Sequence, residues 1–222
     1  IEEFVEVYNK LIQVINTAIT DTRPKSGEYG YYEPLTDDEK KAMSEDEIKK
    51  WEEKAKTGLL NGDEHLNKFL SSLRGNVYKA VDIGGKSISL YEIGINTSKN
   101  YNSGGQLEIN EEKLKKAIEE RGDEIKQLFT NEKGIAKNIQ NSIDDAIGSK
   151  GYLRQKAGIK GTISATNNDL TKELEDIAKK LAEERERLYN KEMQYFNMFA
   201  KMEAAMNQQN NQMAAILGMT GQ

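Results

Sequence analysis

Few side chains in this chain have the types and spacing that chemistry requires, and the single histidine is the first candidate. His65 follows Asp63 and Glu64, so an imidazole and two carboxylates are consecutive in the sequence. A zinc site needs further nitrogen or sulfur ligands, but the 222 residues contain no second histidine and no cysteine. The same three residues are also typical of an exposed helix start, where carboxylates lie near the positive end of the helix dipole. We therefore predict no metal site, no cofactor and no catalytic residue here.

Two acidic clusters, at 37–39 and 45–47, could suggest a calcium site. Neither has the ligand spacing or the glycine of an EF-hand loop. Each follows a hydroxyl residue, Thr36 or Ser44, that has a glutamate three positions later, which is the spacing of a helix capping box. We therefore interpret both clusters as the first turns of short helices.

The glycine pairs are the remaining candidates for chemistry. Gly84-Gly85 and Gly104-Gly105 lie outside any P-loop or dinucleotide-binding pattern, so we interpret them as turns. Without an activated nucleophile, the chain is not expected to be an enzyme. A metal-dependent hydrolase built on His65 is the remaining catalytic alternative, and unchanged activity in His65→Ala would remove it.

Composition narrows the class of protein further. The net charge of -5 predicts no nucleic-acid binding, and no apolar run is long enough for membrane insertion. The absence of cysteine excludes disulfides and thiol catalysis. Because the sequence begins at Ile1, inside an amphipathic pattern, we expect it to be the C-terminal portion of a longer protein.

The elements that position these residues are mostly helices. A first helix over about residues 1–20 is expected to pack on the C-terminal helix. Further helices are predicted at about 63–81, from Asn110 with a break near Gly122, and at 135–147. The first helix is expected to bury one apolar face, which comprises Phe4, Val7, Leu11, Val14, Ile15, Ala18 and Ile19. The 135–147 helix is expected to bury a stripe of isoleucines, Ile135, Ile139, Ile143 and Ile147.

Strand character is confined to one region. Apolar and polar residues alternate in 94–97 and 106–109 around a turn-forming 102–105, which predicts one small antiparallel hairpin. Gly, Ser, Thr and Asn dominate 148–168, which predicts a connector that is at best partly ordered.

The C-terminal stretch, from about Asn168 onward, is the longest uninterrupted helical pattern. Its apolar residues follow the alternating spacing of four and three that is typical of a coiled-coil seam, interrupted by Glu184 and Lys191. From Ala204 to Gln222 no side chain is charged, and methionine is frequent. Such a stripe has no later segment to bury it, so we predict that it binds other chains. The seam comprises Leu170, Leu174, Ile177, Leu181, Leu188, Tyr195, Met198 and Met202.

These patterns predict a mainly α protein, with a helical bundle and coiled-coil leg domain, one small antiparallel β-hairpin and a long C-terminal helix. We expect three parts: a leg domain over 1–165 with its hairpin near 94–109, a helix over 166–202 that packs back on the first helix, and a charge-free assembly segment over 203–222.

Three stretches together resemble a known family, the flagellar hook-associated protein 2, or filament capping protein. The most specific is 32–60, which holds a Pro-Leu-Thr-Asp-Asp-Glu sequence, both capping boxes, Trp51 and a leucine pair in a fixed order. The second runs from Leu90-Tyr91-Glu92-Ile93-Gly94-Ile95 to Leu114. The third is the helix from Glu186 through Met206.

The resemblance implies a secreted structural protein, exported by the flagellar type III apparatus and located at the tip of the bacterial flagellum. Proteins similar to this form a homo-oligomeric ring, commonly a pentamer, that promotes flagellin insertion and filament elongation. The implied partners are further copies of the chain, flagellin, hook-filament junction proteins and an export chaperone. An adhesin, or host-surface binding module, is the alternative function.

The resemblance and the apolar pattern together indicate which residues would form the assembly interface. Those on the seam would brace the leg, and those in the tail would grip neighbouring helices: Leu181, Leu188, Tyr195, Phe196, Phe199, Met202, Met206, Met213, Ile216 and Leu217.

Overall fold

The computed structural model describes residues 1–27, 30–100 and 103–220, with the side chains of 217–220 left out. The chain falls into two compact units, Ile1–Arg154 and Gln155–Gln222. The described residues form a mainly α structure, as predicted, with two small antiparallel strand pairs.

The helices and strands follow the chain in this order: α1 (Glu2–Thr20), α2 (Asp37–Lys41), α3 (Glu45–Lys56), α4 (Glu64–Tyr78), β1 (Val81–Ile83), β2 (Lys86–Ile88), β3 (Ile95–Thr97), β4 (Leu107–Ile109), α5 (Glu111–Thr130), α6 (Ile135–Ile147), α7 (Tyr152–Ala157) and α8 (Asp169–Thr220). A single 3-10 turn, Leu90–Ile93, precedes β3 and ends at Gly94, which is left-handed (φ 86°).

The core of the first unit lies where α1, α4, α5 and α6 meet the two hairpins. Leu73, Leu128 and Ile135 are fully buried in one apolar cluster. A polar contact crosses this core where α4 packs on α6, because the Ser72 and Ser142 hydroxyls lie 2.8 Å apart. These hydroxyls satisfy each other, so the buried Ser142 carries no orphan polar group.

The predicted hairpin is present as β3 paired with β4, with Ile95 opposite Ile109. Asn102 of its expected turn lies outside the described residues. A second hairpin, β1 paired with β2, was missed, because we assigned Val81 to the preceding helix. Its turn is Gly84-Gly85, where both residues have positive φ (62° and 87°), the conformation that a two-residue hairpin turn requires.

The first helix buries only part of the predicted face. Its most buried residues are Val5, Tyr8, Ile12 and Ile15, and the predicted Phe4, Leu11 and Ile19 are partly buried against the same core. The prediction was wrong for Val7 and Val14, which are 60% and 68% exposed. The apolar pattern of α1 is wider than its buried face, so spacing alone did not show which residues the core would cover.

The buried face of α6 also differs from the single isoleucine stripe that we predicted. Ile135 is buried and Ile139 and Ile143 are partly buried against the core, but Ile147 is 45% exposed. Ser142 and Ala146 are buried instead, on the side of α6 that faces α4. On this side the Asn76 side-chain amide also donates to the backbone oxygen of Asn138 (3.2 Å).

Both predicted capping boxes are confirmed at the starts of α2 and α3. In the second, the Ser44 hydroxyl and backbone amide donate to the Glu47 carboxylate at 2.6 and 2.9 Å. These hydrogen bonds lower the pKa of Glu47 below its ordinary value of 4.5. The Trp51 indole donates to the backbone oxygen of Glu33 (2.8 Å), which ties α3 to the loop before α2.

The Glu47 cap predicts a local acid sensitivity. Since the folded-state pKa lies below the unfolded value, the stabilisation is present above pH 4.5 and is lost as the pH falls through the folded-state pKa. We expect amide signals of residues 44–48 to show fraying of α3 there while α4 stays intact. Glu47→Gln should weaken this pH response, and Glu53→Gln, which leaves the cap untouched, should not.

Gly58 and Gly62 provide a matched test of backbone packing, because both have positive φ (74° and 70°). A Cβ on Gly58 would overlap the backbone of Arg23, whereas a Cβ on Gly62 would meet nothing within 4 Å. Gly62→Ala should cost about 1 kcal/mol of stability, which is the left-handed penalty alone. Gly58→Ala should cost roughly 1–3 kcal/mol more because of the overlap. Equal unfolding midpoints in urea for the two variants would contradict this interpretation.

Candidate functional site: the terminal helix

The segment before α8 is more ordered than the connector that we predicted. The predicted connector, 148–168, contains the whole of α7 and a 3-10 turn, Ile163–Ala165. The Ile159 amide donates to the Ser164 hydroxyl (3.1 Å), and the Thr162 hydroxyl donates to the Ile159 carbonyl (2.8 Å). Serine and threonine hydroxyls thus form hydrogen bonds with backbone groups in the segment that we predicted to be at best partly ordered.

The start of α8 is fixed by a single amide side chain. Asn168 is only 3% exposed, and its side-chain oxygen accepts from the Thr171 amide (2.9 Å). Its side-chain nitrogen donates to the backbone oxygens of Ser164 and Ala165 (2.9 and 3.1 Å). Asn168 therefore caps α8 and joins it to the preceding turn.

Beyond this cap, α8 is one helix whose described apolar side chains are not buried within their own unit. Every residue from Lys172 to Ile216 is exposed. The predicted interface residues are 51–70% exposed, apart from Leu217, whose side chain lies outside the described residues. They are Leu181, Leu188, Tyr195, Phe196, Phe199, Met202, Met206, Met213 and Ile216.

These exposed side chains share one broad side of α8. Leu181, Leu188 and Tyr195 are seven residues apart and so lie almost above one another at 3.6 residues per turn. Phe199 and Met206 continue the same side toward the C-terminus. The arrangement suits a long helix-to-helix contact and has no concave shape for a small molecule.

The distribution of charge divides this surface of α8 into a charged part and an uncharged part. Around Leu181 and Leu188, charged residues flank the stripe, and the Arg187 guanidinium bridges the Glu184 carboxylate at 2.7 Å. From Ala204 onward the helix carries no charge. The charged part of the helix can select a partner by charge, whereas the uncharged part can only bury apolar and amide surface.

His65 is not part of any such surface. It lies in the first turn of α4, which Asp63 caps by accepting from the Leu66 amide (2.8 Å). Its ring packs near Tyr152, with centroids 6.0 Å apart. In the part of the chain that the structure describes, no group of three or more His, Asp or Glu side chains could hold a metal ion. Among the same residues, no helix is both long and apolar enough to cross a membrane.

A second candidate surface lies on the first unit, at the face of α1 that we expected to pack on the C-terminal helix. A groove of about 460 Å³ runs between α1 and α6 and is lined mainly by apolar side chains. Phe4, Val7 and Leu11 of the predicted face form one wall, at coiled-coil spacing. Ile139 and Ile143 of α6 form the other wall.

Comparison with known proteins shows the family of the chain. Residues 1–211 match the family described as flagellar hook-associated protein 2 C-terminus. The chain belongs to this family. The resemblance carried by the stretch at 32–60 and by the terminal helix is thereby confirmed.

Curated relatives named flagellar hook-associated protein 2 come from distant bacteria. The chain is 32% identical to the protein of Halalkalibacterium halodurans over 96% of its length, which is 43% of that relative. It is 31% identical to the Thermotoga maritima protein over 96% of its length, or 31% of that relative. A B-type protein of Pseudomonas aeruginosa is 27% identical over 93% of the chain and 36% of the relative.

The chain thus spans less than half the length of these hook-associated relatives. No solved structure matches it significantly.

The cap of α8 gives a prediction with a matched control. Asn168→Ala removes the acceptor for the Thr171 amide and the donor to the preceding turn, so α8 should fray at its start at a cost of about 0.5–2 kcal/mol. Asn167→Ala changes an exposed neighbour of the same type. Amide hydrogen exchange of residues 169–173 should be faster in the first variant than in the second. Equal exchange in both would show that the cap is dispensable.

Proposed function

We propose that this chain is the C-terminal part of a cap at the distal end of the bacterial flagellar filament. Copies of the protein form a ring there, and the ring promotes flagellin insertion and filament elongation. Membership of the hook-associated protein 2 family supports this assignment. The observation that carries it is α8 itself, a 52-residue helix with an exposed apolar stripe and an uncharged end.

The proposed mechanism is mechanical. The side chains at the uncharged end, such as Met206 and Met213, grip neighbouring helices by burying apolar surface. Each buried side chain contributes roughly 1.5–3 kcal/mol, so a few of them hold a subunit while leaving the contact reversible. Reversibility matters because a cap must move as each flagellin subunit enters beneath it.

Methionine suits this grip better than a branched side chain does. Its flexible, polarizable side chain repacks against different neighbours at low cost. Six of the seven methionines lie between Met193 and Met219. A cap that meets a new subunit at every step needs such an adaptable surface.

Two further parts of the proposal concern export and bracing. The protein reaches the filament tip through the flagellar type III apparatus with the help of an export chaperone, and it lies outside the cell beside flagellin and the hook-filament junction proteins. The stretch 166–202 braces the subunit by pairing its stripe with another helix. Packing of this stretch on the first helix of its own chain stays a prediction.

Charge placed in the grip should separate assembly from folding. Met206→Asp combined with Met213→Asp puts two carboxylates on the apolar side of α8, so incorporation at filament tips should be lost. The first unit does not contain these residues and should keep its unfolding midpoint. Filament length and tip labelling in cells that produce the full-length variant are the measurements.

The matched control is Gln208→Asp combined with Ala215→Asp. These residues have the same spacing and lie on the opposite side of the helix, so the added charge is equal but the grip is untouched. Normal filament growth with the methionine variant, or equal loss with the control, would overturn the proposed grip.

A further inference from the structure

The turn between α3 and α4 caps the C-terminal end of α1. The last carbonyls of a helix have no partner within it, and they carry the negative end of the helix dipole. The backbone amide of Gly62 donates to the Ile19 carbonyl (2.9 Å). The side-chain amide of Asn61 donates to the carbonyls of Thr20 and Asp21 (3.2 and 2.9 Å). Two adjacent residues of the α3–α4 turn thus supply donors for three carbonyls at the end of α1.

The end of α1 depends on these donors because the helix supplies no substitute for them. Its last turn contains no basic side chain, so no cation on α1 offsets the negative end of the dipole there. The residue that ends the helix, Asp21, adds a carboxylate instead. A donor is therefore required at Asn61, and a carboxylate in the same place would face carbonyl oxygens and a second carboxylate.

Asn61 and Gly62 also form the single Asn-Gly dipeptide of the 222 residues. An asparagine followed by glycine is prone to lose its amide, because glycine has no side chain to hinder ring closure. The Gly62 backbone nitrogen bonds to the Asn61 Cγ, the Cγ–Nδ2 bond breaks, and ammonia leaves with the proton of the attacking amide. Water then opens the resulting succinimide to aspartate or isoaspartate.

In the folded structure both reacting groups are held by α1. The Gly62 amide must give up its proton to attack, but it donates that proton to the Ile19 carbonyl. The Asn61 amide is fixed by its two hydrogen bonds. The turn also lies directly against the chain that follows α1, since a Cβ on Gly58 would overlap the backbone of Arg23. Ring closure therefore requires a local opening in which the turn leaves α1.

We propose that Asn61 is a site of spontaneous deamidation, and that its modification releases the α3–α4 turn from α1 irreversibly. The docked turn protects Asn61, and each transient opening exposes the exposed, water-accessible side chain to ring closure. The product is a carboxylate, which cannot donate to the carbonyls of Thr20 and Asp21 and is repelled by them. The modified turn consequently does not dock again.

Mass spectrometry of the full chain, aged in mildly alkaline buffer, tests the site. We expect the mass gain of an amide-to-acid conversion at Asn61 before any other asparagine, with isoaspartate as part of the product. Conversion at Asn61 should be several-fold faster in guanidinium chloride, which removes the protection by α1. Equal rates in the folded and unfolded chain would overturn the protection, and the absence of conversion in both would overturn the site.

A pair of glycine variants tests whether opening of the turn controls the reaction. Gly58→Ala strains the α3–α4 turn and leaves the dipeptide unchanged, so conversion of Asn61 in the folded chain should become several-fold faster. The matched control is Gly94→Ala, because Gly94 also has positive φ (86°) and a Cβ there would overlap the Lys113 side chain (2.7 Å). Equal acceleration in both variants would mean that global unfolding exposes Asn61, and the proposed local release would be wrong.

The attacking nitrogen is tested by Gly62→Ala, which adds a methyl group beside it. In guanidinium chloride, where the strain of the folded turn does not matter, conversion of Asn61 should be several-fold slower than in the wild-type chain. The same rate in both chains would exclude the Gly62 amide as the nucleophile.

The consequence of the modification is tested with Asn61→Asp, which reproduces one product. Exchange of the Gly62 amide hydrogen should become several-fold faster, because the turn no longer docks on α1. The control is Asn67→Asp, since the Asn67 side-chain amide also donates to a carbonyl, that of Asp63 (2.8 Å), but away from α1. Exchange at Gly62 should be unchanged in the control. Unchanged exchange in Asn61→Asp as well would contradict the release of the turn.

Discussion

The structure depends on one constraint: α8 has an apolar stripe over its whole described length and nothing in its own unit to bury it. A helix of this length draws most of its stability from packing of its apolar side rather than from helix propensity. Residues 172–216 are exposed, so burial of this stripe requires a helix outside its own unit.

The first unit fixes α1 through side-chain contacts to the β3–β4 hairpin and its turn. Asn9 fastens the β3–β4 hairpin to α1 by donating to the Leu107 carbonyl (2.9 Å) and accepting from the Leu107 amide (2.7 Å). Farther along α1, Asn16 and Arg74 both donate to the carbonyl of Gly104. These contacts fix the position of α1. One helix therefore serves both the core and one wall of the groove between α1 and α6.

The sequence predicted local structure well where the signal is local, and less well where it depends on packing. The boxes at Thr36 and Ser44 and the helix start at Asn110 were found because a capping residue and its amide partner are close in sequence. Val7 and Val14 were wrongly expected in the core because the apolar pattern of α1 is wider than its buried face, and only the positions of α4 and the hairpins show which residues are covered. Ser142 could not be expected in the core, since its partner Ser72 is far away in the chain. The predicted interface residues on α8 lie on one exposed side, and their role in assembly stays a prediction.

In the proposed cap, the two parts of α8 would meet two different needs. Charged seam residues such as Glu184 and Lys191 lower the stability of a coiled coil but restrict it to one register, which a bracing contact requires. The uncharged end has the opposite character, because Met206 and its neighbours would gain similar burial against many partners. A stripe with charges throughout would fix each subunit in one contact, and a stripe without any would bind unselectively. A helix divided at Ala204 would let a subunit of the proposed ring keep its position while its C-terminal end exchanges partners.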